Sequence, residues 1–334
     1  VYYGSFANLL RSVGFLYPQA IVAIEREGKV PTVMNFSFGL QQRLPFRLLA
    51  DVSYVGSLGR HLMWNRNVNT IPFGANWDPK FQDPTTRAVL PQSFMRPYIG
   101  YNDIGMRASA SSSNYHSMQM SVQRRYARRI QFGGAWTWSK ALDFNDTDTE
   151  TVSTLVPVRI WNYGLASFDR THVLKANWLW DISRSVRGGF LKKMALSGWQ
   201  ASGIASFISG RPLGLSYSTV LFSDPTGTPS QGARVVVLAN PVLPKSQRTF
   251  SRNFRTDVFQ PAPRGTTGNA AKTIIRGPGV NNWDIAVFKS FPLREPYKLQ
   301  FRWETYNSFN HCLLYTSDAA DDLLCVDLGG RRII

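Results

Sequence analysis

The chain has 334 residues, with 38 Lys and Arg against 21 Asp and Glu, a formal net charge of +17, 13% aromatics and two Cys. A mean hydropathy of −0.20, and the lack of any apolar run near the roughly 20 residues that a membrane helix needs, exclude a helical membrane protein. Cys312 and Cys325 lie in the last stretch, so no disulfide framework or cysteine-ligated zinc site is available before His311.

In chain order the dominant pattern is two-residue alternation. Val33–Arg43 sets Phe36 and Phe38 against Asn35 and Ser37. After a very short link, Phe46–Gly56 carries Phe46, Leu48, Ala50, Val52 and Tyr54 on one parity and Arg47, Asp51 and Ser53 on the other. Tyr115–Lys140 is the plainest case. There His116, Met118, Met120 and Val122 alternate with Ser117, Gln119, Ser121 and Gln123. Past a basic turn, Arg124–Arg129, the residues Ile130, Phe132, Gly134, Trp136 and Trp138 alternate with Gln131, Gly133, Ala135, Thr137 and Ser139. Thr171–Ile182 sets Leu174, Ala176, Trp178 and Trp180 against Lys175, Asn177 and Asp181. Trp199–Phe207 continues the pattern, although Ile204 and Ile208 blur its polar side, and Trp283–Lys289 and Lys298–Tyr306 close the series.

Side chains of a strand point to opposite faces at period two, so each segment has one greasy and one hydrophilic face. The reading is all-β and antiparallel, with about eight strands, each near the length of about ten residues that a tilted strand needs to cross a bilayer. Trp136 and Trp138 near a segment end mark where a strand leaves the hydrocarbon. The alternation predicts Met118, Met120, Trp136, Trp178 and Phe301 outward, and Gln119, Ser121, Thr137, Lys175 and Arg302 inward.

The links alternate in length. Short ones are the link from Arg43 to Phe46, the basic turn at Arg125 and the compact Phe291–Pro296; long ones span 57–114, 141–170 and 210–282, and a moderate one spans 183–197. Compact soluble domains seldom carry several structureless links this long. Outer-membrane barrels do, with short periplasmic turns on one rim and long extracellular loops on the other. The excess cations are scattered singly through strands and turns, without a basic stripe or motif, which argues against nucleic acid as a partner. They suit solvated turns, a lumen favouring anions, or rims meeting lipopolysaccharide phosphates.

Several phrases, taken together, resemble the barrel domain of Oar-like TonB-dependent receptor proteins, a group often carrying an N-terminal carboxypeptidase-regulatory-like domain. They include Tyr54-Val55-Gly56-Ser57 with Gly59-Arg60-His61-Leu62, Arg96-Pro97-Tyr98, and Asn114-Tyr115-His116-Ser117. Trp136-Thr137-Trp138-Ser139-Lys140-Ala141-Leu142-Asp143, Phe168-Asp169-Arg170-Thr171-His172 and Gly198-Trp199-Gln200 follow, with Leu299-Gln300-Phe301-Arg302-Trp303-Glu304 near the end. The resemblance implies a barrel of about 22 strands, plugged by an N-terminal domain and energised by the TonB complex through a segment absent from these residues. Residues 1–311 are expected to be part of that barrel. Residues 312–334 break the strand grammar and resemble a translated sequencing adapter, a non-native tail.

Chemistry is harder to find. The run Asp143–Glu150 offers oxygen donors at every second position, which suits calcium, but Asp148 stands where an EF-hand loop needs glycine, and a solvated external loop explains the run. His61, His116, His172 and His311 share no metal-binding spacing. Asp169-Arg170-Thr171-His172 reads as a local ion pair at a loop-to-strand junction, and Ser139, Ser209 and Ser290 lie in no nucleophile elbow. No catalytic, cofactor or metal residue is assigned. The expected function is energised uptake of an unidentified substrate through a barrel set in outer-membrane lipid and lipopolysaccharide. An adhesive or structural surface barrel and a passive porin are the alternatives.

Overall fold

A computed structural model of the protein describes residues 19–183, 189–217, 225–249, 252–292 and 297–311. The expected tail at 312–334 therefore lies outside the described residues. Eight long strands form one sheet: β1 (Thr32–Leu44), β2 (Leu48–Asn67), β3 (Tyr101–Ala127), β4 (Ile130–Asp143), β5 (His172–Asp181), β6 (Trp199–Ile208), β7 (Val280–Pro292) and β8 (Lys298–Thr305). They pair antiparallel in chain order, each with its sequence neighbours. Among the described residues β1 and β8 pair on one side only, so the sheet is an open arc of a barrel wall.

The register shows that the alternation sorts the two faces. Leu40, Val52, Met120, Trp136, Leu174 and Phe207 stand on one cross-strand rung. Leu44, Leu48, Arg124, Phe132, Trp178, Gly203 and Ile285 stand on another of the same parity. The opposite parity places Gln41, Asp51, Ser121, Ala135, Lys175, Ser206 and Asn282 on one rung. Met118, Met120, Trp136, Trp178 and Phe301 share the apolar face, and Gln119, Ser121, Thr137, Lys175 and Arg302 the polar one, as predicted.

Among the described residues no protein layer covers the apolar face beyond the short helix beside Lys289. Phe38 is 69% exposed and Trp303 62%, whereas the small buried cluster of Ile71, Ala75 and Met95 belongs to a loop. A face this large and apolar is stable only against hydrocarbon. From Ile130 to Trp138 the rise of about 3.4 Å per residue gives about 27 Å along the strand. A barrel's usual tilt reduces that to about 20 Å, close to the roughly 25 Å apolar band of outer-membrane barrels. Lys289 is the exception that proves manageable. Its parity is outward, yet its ammonium donates to the carbonyls of Ala195 (2.9 Å) and Ser197 and lies over the rings of Trp199 and Phe291.

Two glycines let aromatic rings lie flat on the next strand. A Cβ on Gly203 would sit 2.2 Å from the Trp178 ring, and one on Gly56 2.3 Å from Phe36. Trp178 is held on its far side by an edge contact to Trp283 at 5.9 Å. Gly203→Val is therefore expected to lift Trp178 and cost about 1–3 kcal/mol, read as a lowered urea midpoint with a shift in Trp emission. An unchanged midpoint would mean that the ring moves freely.

Elements differ from expectation in several places. Phe46 and Arg47 are not in a strand: with φ of 60° and 63° they form the Pro45–Arg47 turn. The basic hairpin closes lower than Arg124, since β3 runs to Ala127 and only Arg128 and Arg129 take the left-handed conformation (φ 49° and 71°). Strand reaches into both ends of the expected loop 57–114, because β2 and β3 stay paired from Leu48↔Arg124 up to Asn67↔Gly105. The first long connection is thus 68–100. A further strand, Gln19–Ile24, runs parallel to Tyr101–Arg107. The moderate connection on the short-turn rim carries a helix, Phe190–Leu196.

Candidate functional site

The polar face is a surface of hydroxyl and amide groups. Gln119 Nε2 donates to Ser117 Oγ (3.3 Å), and Ser117 Oγ donates to the carbonyl of Val55 (3.3 Å). Near the short turns a cavity of about 330 Å³ is lined by Gln123, Arg125, Gln131, Lys175 and Asn177, whose side chain lies over Gly133. Arg125 and Lys175 have no acidic partner within 4 Å among the described residues. That set of donors suits a carboxylate or phosphate group. The rest of the face is mixed: Arg43, Asp51, Asp181, Asp284, Arg302 and Glu304 share its parity. Charges of both signs on this face fit a wet lumen without a single-sign field.

Above this wall the three long connections, 68–100, 144–171 and 209–279, are tied to one another. Thr228 Oγ1 donates to the carbonyl of Ile71 (2.7 Å), and Ile71 N donates to Ser230 Oγ (2.9 Å). Asn69, fully buried, donates to the carbonyls of Tyr98 (3.1 Å) and Asn102 (2.8 Å) and accepts from Tyr98 N (2.8 Å). Arg96 joins the carbonyl of Asn69 (2.6 Å) to Asp103 (2.7 Å). The guanidinium of Arg234, in the third connection, lies 3.7 Å from the centre of the Trp161 ring in the second.

Two acidic residues singled out by the sequence anchor these ties. Asp169 does not pair locally with Arg170. Its Oδ2 accepts from Arg276 (2.6 Å) and its Oδ1 from Ala141 N (2.7 Å), so it pins the third connection to the end of β4. Asp143, at the loop end of β4 beyond Trp138, accepts from Lys272 Nζ at 2.7 Å, and Asp146 lies 3.7 Å from the same ammonium. Burial pushes the Asp143 carboxyl up to about 7 against the pull of Lys272, with Asp146 reinforcing the rise. Burial also resists ionisation of Asp146, but its hydrogen bonds with Asp143 and Ser167 hold it below the usual carboxylate value. The first half of the acidic run is therefore drawn into these ties, while residues 147–150 are exposed as a solvated loop would be.

The other candidates stay apart. His172 stacks on Trp136 (5.8 Å), His116 Nδ1 meets Tyr54 Oη (2.7 Å), His61 sits in a bulge at φ 54°, and His311 lies beside Asn281. Among the described residues no three His, Cys, Asp or Glu side chains converge in a metal-holding group. Ser139 Oγ donates to the carbonyl of Arg170 (2.9 Å), and Ser209 Oγ accepts from His172 N (3.1 Å); neither meets an imidazole nitrogen. Sequence reasoning missed Lys272 and Arg276, whose partners lie far away along the chain.

A family described as the outer membrane beta barrel domain matches residues 5–321. The chain belongs to this family. Its place is the outer membrane, with the apolar face of the wall against lipid. No curated protein matches the chain. Solved structures of similar shape include the outer membrane transporter YddB from Escherichia coli, at a TM-score of 0.46 and 11% identity, covering 87% of this chain and 30% of that one. The FrpB iron transporter from Neisseria meningitidis (F3-3 variant) gives a TM-score of 0.40 and 9% identity, covering 87% of this chain and 29% of that one. This outer-membrane barrel chain thus spans less than a third of either transporter.

Proposed function

We propose that this outer-membrane wall forms part of a solute-translocating barrel of the TonB-dependent receptor type, in the Oar-like group. The long connections would lie outside the cell and the short turns in the periplasm. The observation that supports this reading is the polar face, hydroxyl and amide side chains interspersed with charges of both signs, backing onto loops tied to one another. A hydrophilic inner face gives a translocated solute a wet path along the wall. In the complete protein, TonB engagement through an N-terminal segment would remodel a plug and admit a substrate held first by the loops. Lipopolysaccharide surrounds the outer half of the wall.

The reading is tested on the complete reading frame in two ways. Gln119→Cys should react with a membrane-impermeant thiol reagent, while Met120→Cys, one residue along, should not. Absence of reaction at Gln119→Cys would favour the adhesive anchor. In planar bilayers the plugged receptor should stay closed until urea loosens its plug, whereas steady conductance from the outset would establish a passive porin.

A further inference from the structure

On the lipid-facing side of the wall, near the long-loop end, lies a groove of about 740 Å³. Its floor is a single rung, Phe38–Tyr54–Met118–Trp138, crossing β1 to β4. Leu40 and Val52 of the next rung down, with Leu165 of the second connection, complete the apolar lining. Four strands span about 14 Å, so several hydrocarbon chains fit side by side where one phospholipid tail would leave the floor partly bare.

The rung immediately above changes character, running Phe36–Gly56–His116–Lys140. Gly56 is hidden beneath the Phe36 ring, which leaves His116 and Lys140 as the polar lip. The His116 ring is engaged by Tyr54. Arg276, also at the lip, is neutralised by Asp169. Lys140 is exposed and has no acidic partner within 4 Å among the described residues, and no Asp or Glu lines the groove. Higher on the same parity, Arg60 bonds only neutral acceptors, the carbonyls of Gly59 and Ser113 and Asn114 Oδ1. A cation one strand-layer above a wide apolar floor sits where a lipid's acyl region meets its phosphate.

We propose that this groove is a binding site for lipid A, with acyl chains over the Phe38–Trp138 rung and a phosphate at Lys140. The assignment rests on the orientation proposed above, since only the outer leaflet of an outer membrane carries lipid A. It adds to the function a specific lipid contact on one sector of the wall.

The full chain, folded in detergent, is offered lipid A, dioleoylphosphatidylglycerol or dioleoylphosphatidylethanolamine, and retained lipid is counted by native mass spectrometry. Lipid A should be retained over both phospholipids. Lys140→Glu should lower its retention about tenfold, and Lys140→Arg should restore it. Leu40→Trp, which fills the floor and keeps the cation, should also lower it. Equal retention by Lys140→Glu, or phosphatidylglycerol held as firmly as lipid A, overturns the proposal. In intact cells an impermeant maleimide should label Lys80→Cys, in the first long connection, above the level of the unsubstituted chain. Failure of that labelling overturns the orientation and the lipid A site together. Labelling with unaltered lipid A retention in Lys140→Glu overturns the groove alone.

Discussion

Met120→Arg is expected to destabilise the folded chain by about 2–4 kcal/mol, while Gln119→Arg, the next residue, should change stability by no more than about 0.5 kcal/mol. Met120 stands between Val52 and Trp136 in the middle of the apolar face, with Leu40 and Leu174 on the same rung. A guanidinium there must either enter hydrocarbon or bend towards a distant interface. Gln119 faces Ser53 and Thr137 on the other side, where water already solvates hydroxyls and amides. Reversible urea unfolding in lipid vesicles gives both values. Equal penalties at the two positions would mean that the faces do not differ in solvent, and the membrane assignment of the wall would fall with them.

The second large effect concerns acidity. The Asp143 carboxyl rises from its ordinary 3.8 to about 7 because burial disfavours its charge, with Lys272 on one side and Asp146 on the other. Between those two pH values the closed structure keeps a proton that an opened, solvated loop has released. The proton stabilises the closed form, so the tie between the second and third connections weakens as pH climbs through that window. The loss is up to about 1.4 kcal/mol for each pH unit and is complete above the folded value. Amide exchange in 209–279, corrected for its intrinsic pH dependence, should therefore be slower at pH 5.5 than at pH 8. Asp143→Asn, permanently neutral, should flatten the difference. Protection that increases with pH would show that the ion pair with Lys272, rather than the retained proton, governs the tie.

What could be read from the chain divides along physical lines. Where one face meets lipid and the other water, period two is favoured, and β4, β5 and β8 follow the alternation closely, with Ile204 in β6 and Lys289 in β7 as departures. Above the bilayer that contrast vanishes. Ser111, Ser112, Ser113 and Asn114 are polar on both parities, so β3 continues through them without a periodic signal. Phe46 fits the parity of β2 but turns the chain instead, because Pro45 precedes it and its φ is positive. Gln19–Ile24 lacks alternation and pairs in parallel with a distant strand, which no local pattern reports. The ties among the loops are the same kind of problem. Asp169 has Arg170 as its chain neighbour, yet its carboxylate is met by Arg276, and only the fold brings those two together.

Pairing of the eight long strands with their chain neighbours has a consequence for how such a wall can change over generations. Each long strand depends on the one before and the one after it. A duplicated hairpin spliced in at a short turn would widen the circumference without altering the registers of the strands already there. A deletion of the same unit would narrow it just as cleanly. Pore width is thus open to change in whole-hairpin steps, whereas the interlocked outer connections would have to find new partners at each step.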